Sequence, residues 1–423
     1  MHVAIVLLVV VLTYVGMAAG RVAWLRIDRT GIALLAAIAL IATGQMTLDD
    51  FGAAVDMPTL ALLFAVMIIS AQFSESGFID RCARRMFGGD RGTPANFAVP
   101  LALTVAIGGS LSAVLAKDIL VIAIAPRLIA AAQSRSLDPR PFAIAFAAAL
   151  NAGSAATLIG NPQNILLGTL GPLSFWRFLL LGGVPALFSL GIVFAVVWLQ
   201  WRDRVGSTLL AVTGEPAPVA DHRFDRGQAI KGGLALLALL ALFSTHLPRE
   251  IGALIIAALL LASRKITSRA MIAAVDWPLL LLVACLFAVT GSLNQAGVSG
   301  PVVDFLTDHG LLPGNLLSLA PLTLVTGNVF GSLPSSILLL QFWPAPPKSV
   351  LYAAAVLWTL SGNLLLTGSL SSVLVAEQAE RRGARLHFAD YASCGIPIAL
   401  ASLAFAVLWL AAIHALPLWG TAG

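Results

Sequence analysis

Long apolar stretches separated by short polar loops run through the whole chain. The first stretch is Val3–Gly20, the next begins near Gly31, and the last begins near Ile396. A membrane-spanning helix needs about 20 apolar residues, whereas the strands of a membrane β-barrel need alternating polar positions. The pattern therefore predicts an all-α polytopic membrane protein, in which Val3–Gly20 is itself a span rather than a signal peptide.

The composition supports this fold class. Of the 423 residues, 59% are hydrophobic and only 11% are charged, whereas about a quarter of the residues in soluble domains are charged. A water-soluble globular protein and a disordered chain are therefore excluded. The three cysteines lie far apart and the six histidines lie at ends or in loops, so we expect no disulfide and no metal site. No phosphate-binding Gly-x-x-x-x-Gly-Lys motif is present, so we expect that the chain itself is not an ATP-driven pump, and we expect no cofactor apart from a coupling ion.

The basic residues predict the topology. Most of them fall into six clusters, which are Arg21–Arg29, Arg81–Arg91, Arg127–Arg140, Arg202–Lys231, Arg264–Arg269 and Arg381–Arg385. The positive-inside rule places all six in the cytoplasm, so the net charge of +5 is interpreted as a topology signal and not as a nucleic-acid surface. The intervening loops carry acidic residues such as Asp49 and Asp304.

Two apolar segments must start and end on the same side of the bilayer. The segment from Arg91 to Arg127 joins two cytoplasmic clusters, and the segment from Asp308 to Lys348 joins two loops on the far side. We interpret each segment as a re-entrant hairpin, which enters the membrane and returns. Ten spans then remain, and both termini are predicted to lie outside.

The two halves of the chain resemble each other. The matched segments, which keep the same order in both halves, are Asp56-Met57-Pro58 with Asp276-Trp277-Pro278, Gly109-Ser110 with Gly327-Asn328, and Leu158-Ile159-Gly160 with Leu366-Thr367-Gly368. Each half contains five spans, an odd number, so the second half must be inverted relative to the first. We therefore predict a first repeat over 1–200, a cytoplasmic linker over 201–228 and an inverted second repeat over 229–423, an architecture typical of transporters.

Four polar breaks interrupt the apolar runs, one at each hairpin tip and one in a broken helix of each repeat. Free backbone groups cannot face lipid, so such breaks must line a cavity in the protein, and new helix N-termini there suit an anion. The alternative is that the small residues only allow close helix packing. The predicted substrate or ion-binding residues are Ser110, Ser112, Asn151, Thr157, Asn161, Gln163, Asn164, Asn328, Ser332, Asn363, Thr367 and Ser369.

Two charged residues lie inside the first hairpin. Lys117 and Asp118 are the only ionisable residues between Thr93 and Ala125, and charges within a membrane are functional candidates. Burial disfavours the charged forms of both side chains, so either is a candidate for carrying the coupling proton. The alternative is an internal ion pair that only stabilises the hairpin.

These motifs resemble those of the ion transporter superfamily. The similar segments are Gly160-Asn161-Pro162-Gln163-Asn164, the hairpin with Asp118, and Gly368-Ser369 followed by Val375-Ala376-Glu377. The superfamily includes arsenite permeases, citrate and dicarboxylate transporters and one type of sodium/proton antiporter, and the chain is most similar to bacterial anion permeases. The resemblance implies a homodimer in the bacterial inner membrane, with inverted repeats that each carry a re-entrant hairpin and a broken helix.

One departure from the superfamily concerns sodium. Lys117 stands where relatives often carry Asn or Ser, and the second tip reads Gly331-Ser332-Leu333-Pro334. The leading hypothesis is a secondary transporter of a small inorganic or carboxylate anion, coupled to H⁺ or Na⁺. The alternative is a cation/proton antiporter of the same fold that uses Asp118. An intramembrane enzyme is disfavoured because no nucleophile–base pair is visible.

Overall fold

The computed structural model describes residues 2–19, 27–87, 97–204, 223–245, 247–343 and 345–419. Within these ranges the secondary structure consists of twenty α-helices and a short 3₁₀-helix, Leu366–Gly368. Most of the predicted linker, residues 205–222, and Arg21, Arg26 and Arg91 of the basic clusters lie outside the described residues.

The first ten helices cover the predicted first repeat. They are α1 His2–Ala19, α2 Arg29–Ala42, α3 Leu48–Ala54, α4 Met57–Glu75, α5 Phe78–Met86, α6 Ala98–Ser112, α7 Lys117–Gln133, α8 Arg140–Ser154, α9 Pro162–Leu170 and α10 Phe175–Trp201.

The other ten helices repeat this order of long and short elements. They are α11 Arg226–Leu242, α12 Arg249–Leu261, α13 Ser268–Ala273, α14 Trp277–Gln295, α15 Ser299–Asp308, α16 Leu316–Val329, α17 Ser332–Phe342, α18 Lys348–Ser361, α19 Leu370–Glu380 and α20 Phe388–Ala412.

The spans agree with the all-α membrane fold. Five of the described helices are long and apolar enough to cross a bilayer, namely α1, α4, α10, α14 and α20. The predicted broken helices are also present, because α8 and α9 are separated by residues 155–161, and α18 and α19 are separated by residues 362–369. The helix order matches five spans and one hairpin per half, while the inverted orientation of the second half stays a prediction.

The matched Asp-x-Pro segments have a common structural cause. Asp56 caps α4 by accepting a hydrogen bond from the backbone N–H of Thr59 (2.9 Å). Asp276 caps α14 in the same way, with the N–H of Leu279 as donor (3.0 Å). In both helices a proline follows within the first turn. Backbone N–H groups there make no intrahelical hydrogen bond, so a proline, which has no N–H, costs none.

The first hairpin consists of α6 and α7, joined by residues 113–116. Asp80, just before the hairpin, forms an ion pair with Arg127 near its end (Oδ1 to Nη2, 3.1 Å). Arg135 also donates to the carbonyl of Phe87. The two flanks of the hairpin therefore lie at one end of the molecule, as the topology prediction requires.

Another group of contacts joins loops that were predicted to lie on the side of the membrane opposite the cytoplasm. Trp176 Nε1 donates to Ser244 Oγ (2.7 Å), and Lys348 Nζ donates to the carbonyl of Pro172 (3.5 Å). The loops before α10, after α11 and before α18 therefore meet. The side of the membrane on which each group lies stays a prediction.

The first hairpin packs very closely on the first broken helix. A Cβ added at Gly153 in α8 would overlap with the carbonyl oxygen of Gly109 in α6, and would lie 2.5 Å from Ser112 Oγ. Because the obstacle includes backbone, no side-chain rotation can relieve it. Glycine at 153 thus allows the hairpin to seat against the helix that carries the candidate site.

Replacing Gly153 by Ala should therefore destabilise the fold by about 1–3 kcal/mol, the usual range for overpacking. Thermal unfolding of the purified protein in detergent measures the effect. The matched control is Gly191→Ala in α10, where an added Cβ meets no atom within 4 Å and alanine should be neutral or slightly stabilising. Equal melting temperatures for the two variants would contradict the close seating of the hairpin.

Candidate functional site

A buried polar network connects the first hairpin with the broken helices of both repeats. We call it the lysine cluster; its members are Lys117, Asn151, Asn363, Ser369 and Ser372. Lys117 Nζ donates to Asn151 Oδ1 (3.3 Å), and Ser369 Oγ donates to the same oxygen (2.9 Å). Asn151 Nδ2 in turn donates to Asn363 Oδ1 (3.0 Å).

Asn151 is the hub of this cluster. Its side chain is 1% exposed, and it is held by groups from α7, the segment after α18, and the N-terminal region of α19. Asn363 adds a further contact between the repeats by donating to the carbonyl of Ala148 in α8 (3.2 Å). Leaving a buried donor or acceptor unpaired costs about 1–3 kcal/mol, so these bonds strongly favour one arrangement of the two repeats.

A second polar group, the amide cluster, consists of Gln163, Asn164 and Thr359. Gln163 Nε2 donates to Thr359 Oγ1 (3.1 Å), and that hydroxyl lies 3.1 Å from Asn164 Oδ1. Asn164 Nδ2 donates to the carbonyls of Ser154 and Thr157 (3.1 and 3.0 Å). The side chain of Asn164 therefore closes the break between α8 and α9 and ties it to α18.

The two clusters are related by the internal repeat. Three pairs share the spacing of 208 positions that separates Gly160 from Gly368, namely Asn151 with Thr359, Asn161 with Ser369, and Asn164 with Ser372. In the amide cluster Asn164 contacts Thr359 (3.1 Å), and in the lysine cluster their counterparts, Ser372 and Asn151, lie 3.5 Å apart. Each broken helix thus contacts the other repeat through equivalent positions.

Asn161 is a position at which the two repeats differ in their hydrogen bonds. Its counterpart, Ser369, donates to Asn151, but the Asn161 amide makes no hydrogen bond within the described part of the chain, although the residue is only 5% exposed. Asn161 is the N-cap residue of α9, yet its side chain does not cap the helix. A buried amide without a protein partner, beside the positive end of a helix, is suited to a polar or anionic ligand.

Lys117 and Asp118 do not form the internal ion pair that was the alternative from sequence. Both residues are described, and their charged atoms do not approach within 4 Å of each other, whereas the Lys117 ammonium bonds to Asn151. Asp118 is half-buried in the first turn of α7. Lys117 therefore belongs to the contact between the repeats rather than to the hairpin alone.

The other predicted site residues near these breaks mainly bond to backbone. Ser112 donates to the carbonyl of Gly109 (3.0 Å), and Thr157 donates to that of Ala113. Ser332 donates to the carbonyl of Trp358 (3.2 Å). Asn328 Nδ2 donates to the carbonyls of Leu324 and Ser361 (2.8 and 3.0 Å). Thr157, Ser332 and Asn328 thus join the hairpins to the broken helices, whereas the Ser112 bond stays within α6.

Two predicted residues take no part in either cluster. Ser110 and Thr367 are both exposed, and no side-chain hydrogen bond joins them to the described residues. The structure therefore does not bring Ser110 and Thr367 together with the other predicted site residues. Ser110 lies on the outer side of α6, because the helix turns its Ser112 and not Ser110 toward Gly153.

Three residues of the network were absent from the prediction. They are Thr359, Ser372 and Tyr391, whose hydroxyl lies 3.0 Å from Ser372 Oγ. The spacing of 208 positions is the signal that identifies the first two, because it aligns them with Asn151 and Asn164. Tyr391 has no such signal; it reaches the network through the packing of α20.

The sequence profile of the citrate transporter family, CitMHS, matches residues 15–344 of the chain. This range includes both hairpins, the first broken helix and the loop that contains Asn161.

Comparison with known proteins extends the similarity to the whole chain. An uncharacterized transporter of Mycobacterium tuberculosis is 25% identical over 91% of this chain and 94% of its own length. The silicon efflux transporter LSI3 of Oryza sativa subsp. japonica is 32% identical over 44% of this chain and 38% of its own length. The crystal structure of the YdaH transporter of Alcanivorax borkumensis covers 99% of both chains with a TM-score of 0.58 and 15% sequence identity, and so shares the fold.

Proposed function

The chain belongs to the citrate transporter family, and from this premise we propose that it is a secondary active transporter for a small anion, either an oxyanion or a carboxylate. We further propose that it works by alternating access in the bacterial inner membrane, as a homodimer. Members of this family are membrane transporters and not enzymes.

The observation that carries the proposal is the position of the Lys117 ammonium. It lies among buried amides and hydroxyls of both repeats, it bonds to the neutral Asn151, and the adjacent Asp118 forms no ion pair with it. A buried positive charge is costly unless it is compensated or wetted. An anionic solute close to this cluster and to the free Asn161 amide would place a negative charge in direct contact with the ammonium, which Asp118 does not.

The same position supports a role for Lys117 in coupling. A tethered cation can replace a mobile sodium ion at the first hairpin, and it can bind and release a proton when the local environment changes. We therefore propose that transport is driven mainly by protons. A cation/proton antiporter is less well supported, because the ammonium of the adjacent Lys117 would repel a cation that binds to Asp118.

Alternating access also accounts for the paired clusters. Each broken helix bonds to the other repeat through equivalent positions, so a movement of one repeat must break bonds in both clusters. A bound solute that replaces some of these bonds would lower the barrier to that movement.

Thermal unfolding of the purified protein tests the proposed substrate class. The probes are citrate, inorganic phosphate, neutral silicic acid, which the name of the rice relative suggests, and sodium chloride as a control. A ligand of the folded protein at 100 times its Kd stabilises it by about 2.7 kcal/mol. We expect citrate or phosphate to raise the melting temperature, and stabilisation by sodium alone would favour the antiporter instead.

A further inference from the structure

A second cation lies at the tip of the second hairpin. Arg29 is half-buried, and its Nη1 atom is 3.2 Å from the position that a Cβ on Gly331 would occupy. Gly331 has a φ of +98°, which favours glycine, and it is the residue before α17. Tyr14 holds the tip beside Arg29, because its hydroxyl donates to the carbonyl of Pro334 (3.2 Å) and its ring meets Phe330 edge to face.

The Arg29 guanidinium has no partner in the described part of the protein. No hydrogen bond, ion pair or aromatic contact joins it to a described residue. The adjacent Asp28 forms no ion pair with it; the Asp28 carboxylate is exposed and accepts from the backbone N–H of Gly31 (2.9 Å). A guanidinium carries five N–H donors and stays charged in proteins, so leaving it unpaired beside the hairpin tip is unfavourable.

The surrounding backbone adds partial positive charge near the Arg29 guanidinium. Arg29 is the first residue of α2, where the helix dipole disfavours a positive charge. No side chain caps the N-terminus of α17 at Gly331. The guanidinium, the start of α2 and the start of α17 all favour a negative charge in the same place.

Arg249 is the corresponding arginine in the other repeat, and its guanidinium has a partner within the protein. It is the first residue of α12, which corresponds to α2 in the helix order. Its guanidinium lies over the ring of Phe243, 5.0 Å from the ring centroid. An arginine at the start of this helix can therefore be satisfied within the protein, and Arg29 is not.

We propose that Arg29 is a specificity-determining residue that binds the anionic group of the transported solute at the second hairpin tip. The inference rests on the proposed function and deepens it. The planar guanidinium pairs best with groups that offer two oxygens, so the solute class is a carboxylate or a tetrahedral oxyanion rather than a halide or a neutral hydroxylated solute. Each hairpin tip then presents one cation to the solute, Lys117 at the first and Arg29 at the second.

The test is a titration of thermal stability with citrate and with inorganic phosphate as probes, at constant ionic strength. We compare the wild type with Arg29→Gln, Arg29→Lys and the matched control Arg249→Gln, which removes the same charge from the corresponding helix. In Arg29→Gln the half-stabilising concentration should rise about 10- to 100-fold. The rise should be smaller in Arg29→Lys, which keeps the charge but loses the planar pair of donors. Arg249→Gln should behave like the wild type.

Several results overturn the inference. Unchanged titrations in Arg29→Gln, or an equal rise in Arg249→Gln, would show that Arg29 makes no specific contact. If Arg29→Gln does not fold, the comparison of Arg29→Lys with the wild type tests the proposal in its place. Titrations of Arg29→Lys that are identical to those of the wild type then overturn it. A wild type stabilised by silicic acid and by neither anion overturns both the anion site and the proposed anionic substrate class, and supports transport of a neutral solute instead. A wild type that no probe stabilises contradicts the proposed function, and this inference with it.

Discussion

Replacing Lys117 by Gln should reduce proton-driven uptake by about tenfold or more and should flatten its dependence on pH. The glutamine amide keeps a polar donor on the side of Asn151 Oδ1, the acceptor that Lys117 Nζ reaches at 3.3 Å, but it carries no charge and cannot release a proton. Hydrogen bonds to charged groups contribute about 1.5–3 kcal/mol, and 1.4 kcal/mol corresponds to a factor of ten. Uptake into proteoliposomes at a series of pH values measures the effect.

The control for this variant is Lys231→Gln. Lys231 is a half-buried lysine within a helix, and its Nζ donates to the carbonyl of Leu260 (3.3 Å), away from both clusters. Its replacement should leave the pH profile unchanged. Lys117→Asn, which introduces a residue common in relatives, should shift coupling toward sodium or abolish transport. A Lys117→Gln protein with the wild-type pH profile would mean that Lys117 has only a structural role.

Replacing Asn161 by Ala should weaken solute binding without destabilising the fold. The amide makes no hydrogen bond to the described protein, so its removal leaves no protein group unpaired. A solute that bonds to this amide would lose about 1–3 kcal/mol of interaction, a roughly 5- to 150-fold rise in Kd. The melting temperature without ligand and the apparent Kd in a stability titration separate the two effects.

Asn164→Ala is the matched control for this prediction. It removes the same side chain three residues later, but the Asn164 amide bonds to the carbonyls of Ser154 and Thr157. This variant should therefore lose stability in the absence of any solute. If Asn161→Ala melts at the wild-type temperature and binds with the wild-type Kd, the amide is not part of the substrate site.

The backbone breaks could be predicted from sequence because backbone N–H and C=O groups cannot stay unpaired in lipid. Glycine, proline and amide residues within apolar runs indicated the second hairpin tip and both broken helices, and helices end near these residues, at Ser154, at Val329 and at Ser361. The break predicted at the first hairpin tip is helical instead, because Ser110 and Ser112 belong to α6 and the turn lies at 113–116. The charge clusters similarly indicated which loops meet, since the flanks of the first hairpin are joined by the Asp80–Arg127 pair.

The partners of the polar side chains could not be predicted in the same way. Asn151 was a candidate on its own, but its partners Asn363 and Ser369 are more than 200 residues away, and only the packing of the two repeats brings them together. Arg29 was counted as one basic residue of a cytoplasmic cluster. The structure places its guanidinium against the second hairpin tip, a contact between helices that no local pattern indicates.

The most direct test of the account is uptake of citrate or phosphate by the wild-type protein in proteoliposomes, with proton and sodium gradients imposed separately. If Lys117 takes the place of a coupling sodium ion, a proton gradient alone should drive uptake, and a sodium gradient should add little. Uptake that strictly requires sodium would contradict this role of Lys117.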